Sequence, residues 1–492
     1  VATHVRGLIH HAGHGLFSQA GYDRLMILFA TLSARHFGRA IAVLAAMAFA
    51  ATPLHAQRVL RDAETEALLR DASAPLVKAA GLDPRNVEIL LIQDSSINAF
   101  VAGGQAVWIH TGLIAEADNL NQVQGVIAHE LGHIEGGHII RTDEGLKAAT
   151  GITILSMVLG AAAIAAGGAE AGMGIFAAGQ QAALGKFLAF SRTQESSADQ
   201  AGVRYLHTAG ISGRGMIEFF KKLQNLEYRY RIQEDTDGGY ATTHPLSGER
   251  IATLTEALTQ DPAFKKPTDP ALEARFQRIK AKLIGFVSEP PVTLRKYPVT
   301  DRTIPAYYAR AYAYHQGAYP EQALASADAL LQMVPNDPYF MELKGQILLE
   351  SGRPADAITP LRKAVAGTDS NPLIAAMLGH ALIATDDNRY LDEAEQVLRT
   401  ALGRDRDNPF GWYVLGNVYA RKGDVPRAAL ASAEQANLTG DSPAALRHAE
   451  QAMAALKPGT SDYLRAQDIA IVARTALEKR KKKKSKEDDK TS

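Results

Sequence analysis

His129-Glu130-Leu131-Gly132-His133 sits inside an apolar segment with helical periodicity, and its residue types and spacing have a chemical meaning. On an α-helix, residues i and i+4 share one face about 6 Å apart along the axis. Two imidazoles placed so can converge on one zinc ion at roughly 2.0–2.1 Å. Glu130, next to the first ligand, is placed to take a proton from a water activated there. Farther along, Gln194-Glu195-Ser196-Ser197-Ala198-Asp199 puts two carboxylates on one helical face at i and i+4. A catalytic zinc site with two histidines needs one more protein ligand and one open position. Glu195 fits as that ligand, and Asp199, one turn on, fits as the acceptor that fixes the tautomer and tilt of a ligand imidazole. A carboxylate pair on a helix is otherwise an ordinary solvated face, and the histidine motif is what gives it this role.

Composition narrows the chemistry. The chain has no cysteine, which excludes disulfides, thiolate ligands and a cysteine nucleophile, and leaves His, Asp and Glu as metal ligands. Its formal net charge of +0 gives no reason to expect a nucleic-acid partner. With 46% apolar and 22% charged residues it has the balance of a soluble globular protein, and 492 residues require two or three domains.

The motif helix is expected from about Leu120 to Arg141, with Asp118 and Asn119 as candidate caps. On such a continuous helix His138 lies about 140° around from His133, so it is not expected as a ligand. A metzincin would carry its third histidine at position 139, which is Ile139, so that subclass is excluded. Ahead of the helix, 57–80 has helical spacing and Val87 to Gln93 reads as a strand. Ile97 to Val101 and Gln105 to His110 flank Gly103-Gly104 as a hairpin. Asn98, Ala99 and Phe100 then form a strand edge beside the metal helix, able to bind an extended polypeptide as an added strand. Residues 148–169 carry no charge but are mostly Ala and Gly, so they are read as a mobile or buried hairpin by the site, with peripheral membrane contact left open.

The ordered set His129-Glu130-Leu131-Gly132-His133 and Glu195-Ser196-Ser197-Ala198-Asp199 resembles the CAAX-prenyl-protease/HtpX-like zinc metalloproteases. Asn98-Ala99-Phe100 with Gly103-Gly104 looks like that family's edge strand, and Thr243-His244-Pro245 with Arg250 is similar to its downstream T-H-P-x-x-x-x-R element. The resemblance implies one Zn2+ per chain held by His129, His133 and Glu195, with Glu130 as general base. It gives His244 two alternative roles: a plug in the fourth zinc position that must swing away, or a group that steadies the transition state. Arg250 is likewise read either as an oxyanion stabiliser or as the partner of a carboxylate.

Arg35, His36 and Arg39 precede an apolar run from Ala40 to Ala51 and a small-residue break at Ala56, the pattern of a signal peptide. At the other end, Trp412, Leu415, Gly416 and Tyr419, with Gly379 and Gly345 upstream at intervals of about 34–37 residues, write the tetratricopeptide pattern. Such a solenoid offers a concave face for client or partner proteins. The expected architecture is mainly α: an α+β zincin-type metalloprotease domain with a small β-sheet, followed by an all-α tetratricopeptide solenoid. The expected divisions are a leader at 1–56, the protease at 57–262, a connecting helix and linker at 263–300, repeats at 301–478 and a disordered basic tail at 479–492. Within the family, a leader ahead of the protease and repeats behind it point to its soluble periplasmic members, which act on outer-membrane β-barrel assembly. The expected function is an exported, periplasmic zinc endopeptidase acting on polypeptide substrates. Two alternatives are a chaperone or scaffold with latent proteolysis, and a membrane-integrated processing protease using 148–169.

Overall fold

The computed structural model describes residues 58–165, 169–230 and 244–491; the leader expected over 1–56 and Thr243 lie outside them. The first element is a strand, β1 (Arg58–Leu60), where helical spacing was expected. β-Branched Val59 pairs with Ile92, and Asp62 accepts the Thr65 amide at 2.7 Å to start helix α1 (Ala63–Ala79) only afterwards. The strands β2 (Glu88–Gln93), β3 (Ala99–Ala102) and β4 (Ala106–His110) follow, in the sheet order β1-β2-β4-β3. β2 runs parallel to β4, and the expected β3–β4 hairpin is antiparallel with Phe100 opposite Trp108. β3 is thus an edge strand.

After α2 (Thr111–Glu116), helix α3 (Leu120–Glu135) carries the histidine motif. Its cap is Asn119, whose side chain accepts the Gln122 amide at 3.1 Å, and every residue from Leu120 to His133 is buried. This helix is buried on all sides because β3, α1 and two later helices pack around it, and its polar side chains, among them Asn121, Gln124, His129 and Glu130, are enclosed with it. It ends six residues earlier than expected. Gly136 closes it, and Gly137 takes φ +61°, a left-handed conformation that costs glycine little.

α4 (His138–Ala165) and α5 (Ala169–Ala209) form a long antiparallel pair that projects from this core. Small residues meet where they touch: a Cβ on Gly172 would lie 2.6 Å from the Gly160 carbonyl oxygen. The outer surfaces are apolar and open, with Leu155 58%, Val158 61% and Met173 63% exposed. The segment 148–169, expected as a mobile or buried hairpin, is instead one arm of the pair, and its described residues, in α4 as far as Ala165, are mostly exposed.

α6 (Arg214–Tyr230) closes the core with Phe219 and Phe220, both fully buried, each worth about 1.5–3 kcal/mol in apolar burial. α7 (Gly248–Thr259), capped by Ser247, and α8 (Pro270–Val287), capped by Asp269, follow, then the short α9 (Pro290–Lys296). From Ile304 the chain folds as successive antiparallel helices, α10 (Ile304–Gln316), α11 (Pro320–Met333), α12 (Pro338–Glu350), α13 (Pro354–Gly367), α14 (Pro372–Ala384) and α15 (Leu391–Arg404). α16 (Pro409–Arg421), α17 (Val425–Leu438), α18 (Ser442–Ala455) and α19 (Ser461–Thr491) complete the stack. Proline opens most of these helices at the first turn, where its missing N–H leaves no bond unmade. Residues 479–491, expected as a disordered tail, instead prolong α19. The run has no Gly or Pro and consists largely of good helix formers.

A polar cluster joins the core to the stack. Lys282 on α8 contacts Asp62 and lies 3.4 Å from Glu64; Arg278 reaches Glu64 at 2.5 Å and Asp337 at 2.8 Å. The Tyr308 hydroxyl on α10 donates to Glu64 at 2.6 Å.

Candidate metal centre

α3 and α5 approach closely because Gly132, between the two motif histidines, meets the α5 backbone at Ala198. A Cβ there would lie 2.7 Å from the Ala198 carbonyl oxygen. Ala198 stands between Glu195 and Asp199, so this contact sets both carboxylates against the two imidazoles. His129 Nε2 is 3.1 Å from His133 Nε2 and 3.4 Å from Glu195 Oε2, and His133 Nε2 is 3.5 Å from Glu195 Oε1. His244, brought in by the turn before α7, places Nδ1 3.1 Å from Glu195 Oε1 and 3.3 Å from His129 Nε2. One donor atom from each of His129, His133, Glu195 and His244 lies within 4.8 Å of the others, and all four residues are buried. Nitrogen and oxygen donors converging in this number fit a metal ion of the zinc type.

Asp199 Oδ1 is 2.9 Å from His129 Nδ1, so the far side of that imidazole is held while Nε2 faces the cluster. Arg250 binds Asp199 through Nε at 2.7 Å and Nη2 at 2.9 Å, lies 3.1 Å from Glu195, and donates to the Pro245 carbonyl at 2.7 Å. Of its two readings, the geometry is that of a carboxylate partner: the guanidinium fork is directed at Asp199 and at the turn that carries His244. Both carboxylate oxygens of Glu130 are fully buried with no hydrogen-bond partner, and Oε1 lies 3.6 Å from His244 Nε2. An unmatched carboxylate at such a position is costly unless water or a reacting group supplies the missing donor.

Electrostatics favour a cation here. Burial opposes protonation of His129, but Asp199 and Glu195 overcome it and raise its pKa to about 10. His133 is driven down to about 2, first by burial and then by the charge of His129. Burial also works against ionised Glu195, yet His129 and His244 hold it well below the usual carboxylate range. Glu130 is pushed up by burial, with His244 and His129 opposing, which makes it a stronger base than a free carboxylate.

A cavity of about 290 Å³ opens onto the cluster, lined by Phe100, Glu130, His133, Phe187, Phe190 and Gln194 among others. Ala99 and Phe100 lie on the edge strand as expected, whereas Asn98 precedes it and accepts the His110 amide through its carbonyl at 2.9 Å. Among the contributors not expected from the sequence are Ser191, His138, Phe187 and Phe190. The last two fall on one helical stripe with Gln194, a spacing that 187, 190 and 194 display in the sequence once Glu195 is placed on the site. His138 could not be placed without the break at Gly136-Gly137.

Residues 60–258 match peptidase family M48, and residues 308–372 and 378–445 match the tetratricopeptide repeat. The beta-barrel assembly-enhancing protease of Yersinia pestis is 26% identical over 387 residues, covering 76% of each chain. The protein of that name from Escherichia coli (strain K12) is 24% identical over 383 residues, again covering 76% of each. Among solved structures, MamA is 22% identical, covering 35% of this chain and 96% of its own, with a TM-score of 0.27. The chain is thus a metalloendopeptidase whose residues 60–258 are similar to peptidase family M48, with tetratricopeptide repeats behind that segment.

Proposed function

We propose that this chain is a zinc-dependent endopeptidase of periplasmic protein quality control, with one Zn2+ per chain held by His129, His133 and Glu195. The observation that carries the reading is the buried donor set beside the partnerless carboxylate of Glu130. When bound, zinc supplies Lewis acidity toward water and a peptide carbonyl. Glu130 takes the proton of the attacking water and returns it to the leaving amine. The edge strand at Ala99–Ala102, with Asn98 before it, aligns the substrate backbone by strand addition, and Phe100, Phe187 and Phe190 receive an apolar side chain. Asp199, itself held by Arg250, keeps His129 in its ligating orientation. His244 stands among the donors at rest and leaves when substrate enters.

The name of these relatives, beta-barrel assembly-enhancing protease, supports a client among outer-membrane β-barrel proteins or their assembly machinery, with the repeats holding client or partner. Replacing Glu130 by Gln tests the protease reading. Loss of client cleavage with zinc content unchanged is expected, while a variant that restores client assembly as fully as the original chain would favour the chaperone alternative. A second reading has its own observation. Leu146–Ile164 is 19 residues of mean hydropathy 1.6 and only 11% buried, long enough to meet a bilayer's hydrocarbon core. We place this hairpin against a membrane surface; recovery of the protein in the soluble fraction with no flotation on anionic vesicles would exclude it.

A further inference from the structure

We propose that His138 is a positioning residue for the metal site, fixing His133 as Asp199 fixes His129. This rests on the reading of His133 as a metal ligand. His133 turns Nε2 toward His129 and Glu195, which leaves Nδ1 facing away from the cluster. The Nδ1 of His138 lies 2.9 Å from that atom, and the two rings meet edge to face with centroids 4.9 Å apart. An imidazole that ligates through Nε2 carries its proton on Nδ1, so His133 donates and His138 accepts. His138 is 5% exposed, and its own carbonyl accepts from Gln194 at 3.4 Å, the residue next to Glu195. The start of α4 therefore clasps one ligand directly and the neighbour of another.

The backbone is shaped for this contact. A continuous helix would carry position 138 about 140° away from 133. Instead the Gly136 amide ends the helix on the Gly132 carbonyl at 3.0 Å, Gly137 turns left-handed, and the chain doubles back. A Cβ on Gly136 would stand 2.3 Å from His138 Nε2, so only glycine lets the ring lie where it reaches His133. Because His138 is the first residue of α4, the seat of the exposed hairpin fixes the orientation of a metal ligand.

Zinc affinity of the full chain, measured by competition with a chromophoric chelator, tests this without reference to activity. His138→Ala weakens zinc binding about 10–100-fold while the thermal transition of the metal-free protein stays in place. His138→Asn recovers most of the loss, since its amide oxygen can accept from His133 where the imidazole nitrogen did. Gly136→Ala, which alters no imidazole, displaces the His138 ring and weakens zinc as His138→Ala does. Zinc binding by His138→Ala equal to the original chain's overturns the proposal, as does an Asn variant no better than Ala with both folded. His133→Ala separates the two layers: undiminished zinc there sinks the ligand assignment itself, whereas lost zinc there with normal zinc in His138→Ala sinks only the positioning role.

Discussion

Replacing Glu342 by Gln should stabilise this protein, and by an amount that grows with pH. Glu342 lies on α12 against the polar cluster that joins the catalytic core to the repeats. Asp62, Glu64 and Asp337 already claim the two cations there, Lys282 and Arg278. The Oε2 atom of Glu342 is buried with no hydrogen-bond partner. Burial, helped by Asp62 and Glu64 and opposed by Lys282, pushes its pKa from 4.5 up to about 8. The folded state therefore binds a proton that the unfolded chain has released over this range. With more protons bound when folded, stability falls as pH rises from about 4.5 to about 8 and levels off above. Each unit is worth about 1.4 kcal/mol, so at pH 7 the native carboxyl forgoes roughly 3 kcal/mol that an uncharged amide does not. For a cooperative unit of this size that is a Tm gain of roughly 3–6 °C for Glu342→Gln at neutral pH, and about a quarter of that at pH 5. Thermal melts of both proteins at pH 5, 6, 7 and 8 measure it. A Tm difference that stays constant across the series would refute the reasoning, because only a titrating Glu342 makes the gap widen.

Three further outcomes concern the site. Asp199→Asn keeps the shape of the side chain but removes its charge from His129 and Arg250, so zinc affinity falls about 10–100-fold in chelator competition; unchanged affinity would remove Asp199 from the site. His244→Ala clears the fourth donor position, and if that imidazole is in place in nine molecules of ten, cleavage of an unstructured peptide rises about tenfold. A fall in kcat at constant KM would instead favour a role in steadying the transition state. Phe190→Ala opens the apolar side of the cavity and lowers kcat/KM for large apolar side chains by roughly 10–200-fold relative to small ones, read from cleavage of a peptide library.

The sequence made the first circle of this site legible and the second only in part. His129, His133, Glu195 and Asp199 lie on helices, where i, i+4 spacing states which side chains share a face, and the structure brings them together. His244 and Arg250 converge with them from a turn and a helix start, positions that spacing cannot supply and that only resemblance indicated. His138 shows the limit of periodicity. An angle of about 140° from His133 holds only for a helix that continues, whereas Gly136-Gly137 ends the helix and returns the chain. Two adjacent glycines after a helical run were the available signal. The basic end of the chain failed in the opposite direction: its charge suggested disorder, but its residues are good helix formers continuing an established helix. β1 was hidden because three residues are too few to show alternation, and its pairing with β2 is a long-range contact.

The way the chain is joined at each end of this core gives its two appendages different access to the chemistry. The hairpin of α4 and α5 is rooted in the metal centre on both sides, through His138 where it leaves and through Phe187, Phe190 and Glu195 where it returns. Its exposed apolar surface is thus continuous with helices that carry or touch members of the buried donor set. The repeats attach elsewhere, through α8 and the Asp62–Glu64–Lys282 cluster at the start of α1. α1 packs on α3 and α5 behind the histidines, so a partner seated on the repeats reaches the ion only through helix packing. Coupling through the hairpin can thus act on metal orientation itself, whereas coupling through the repeats must move whole helices, and burial of nearly all of α3 resists such movement. On the function proposed above, the repeats therefore serve to deliver substrate, and the hairpin, with the turn at His244, to gate the site.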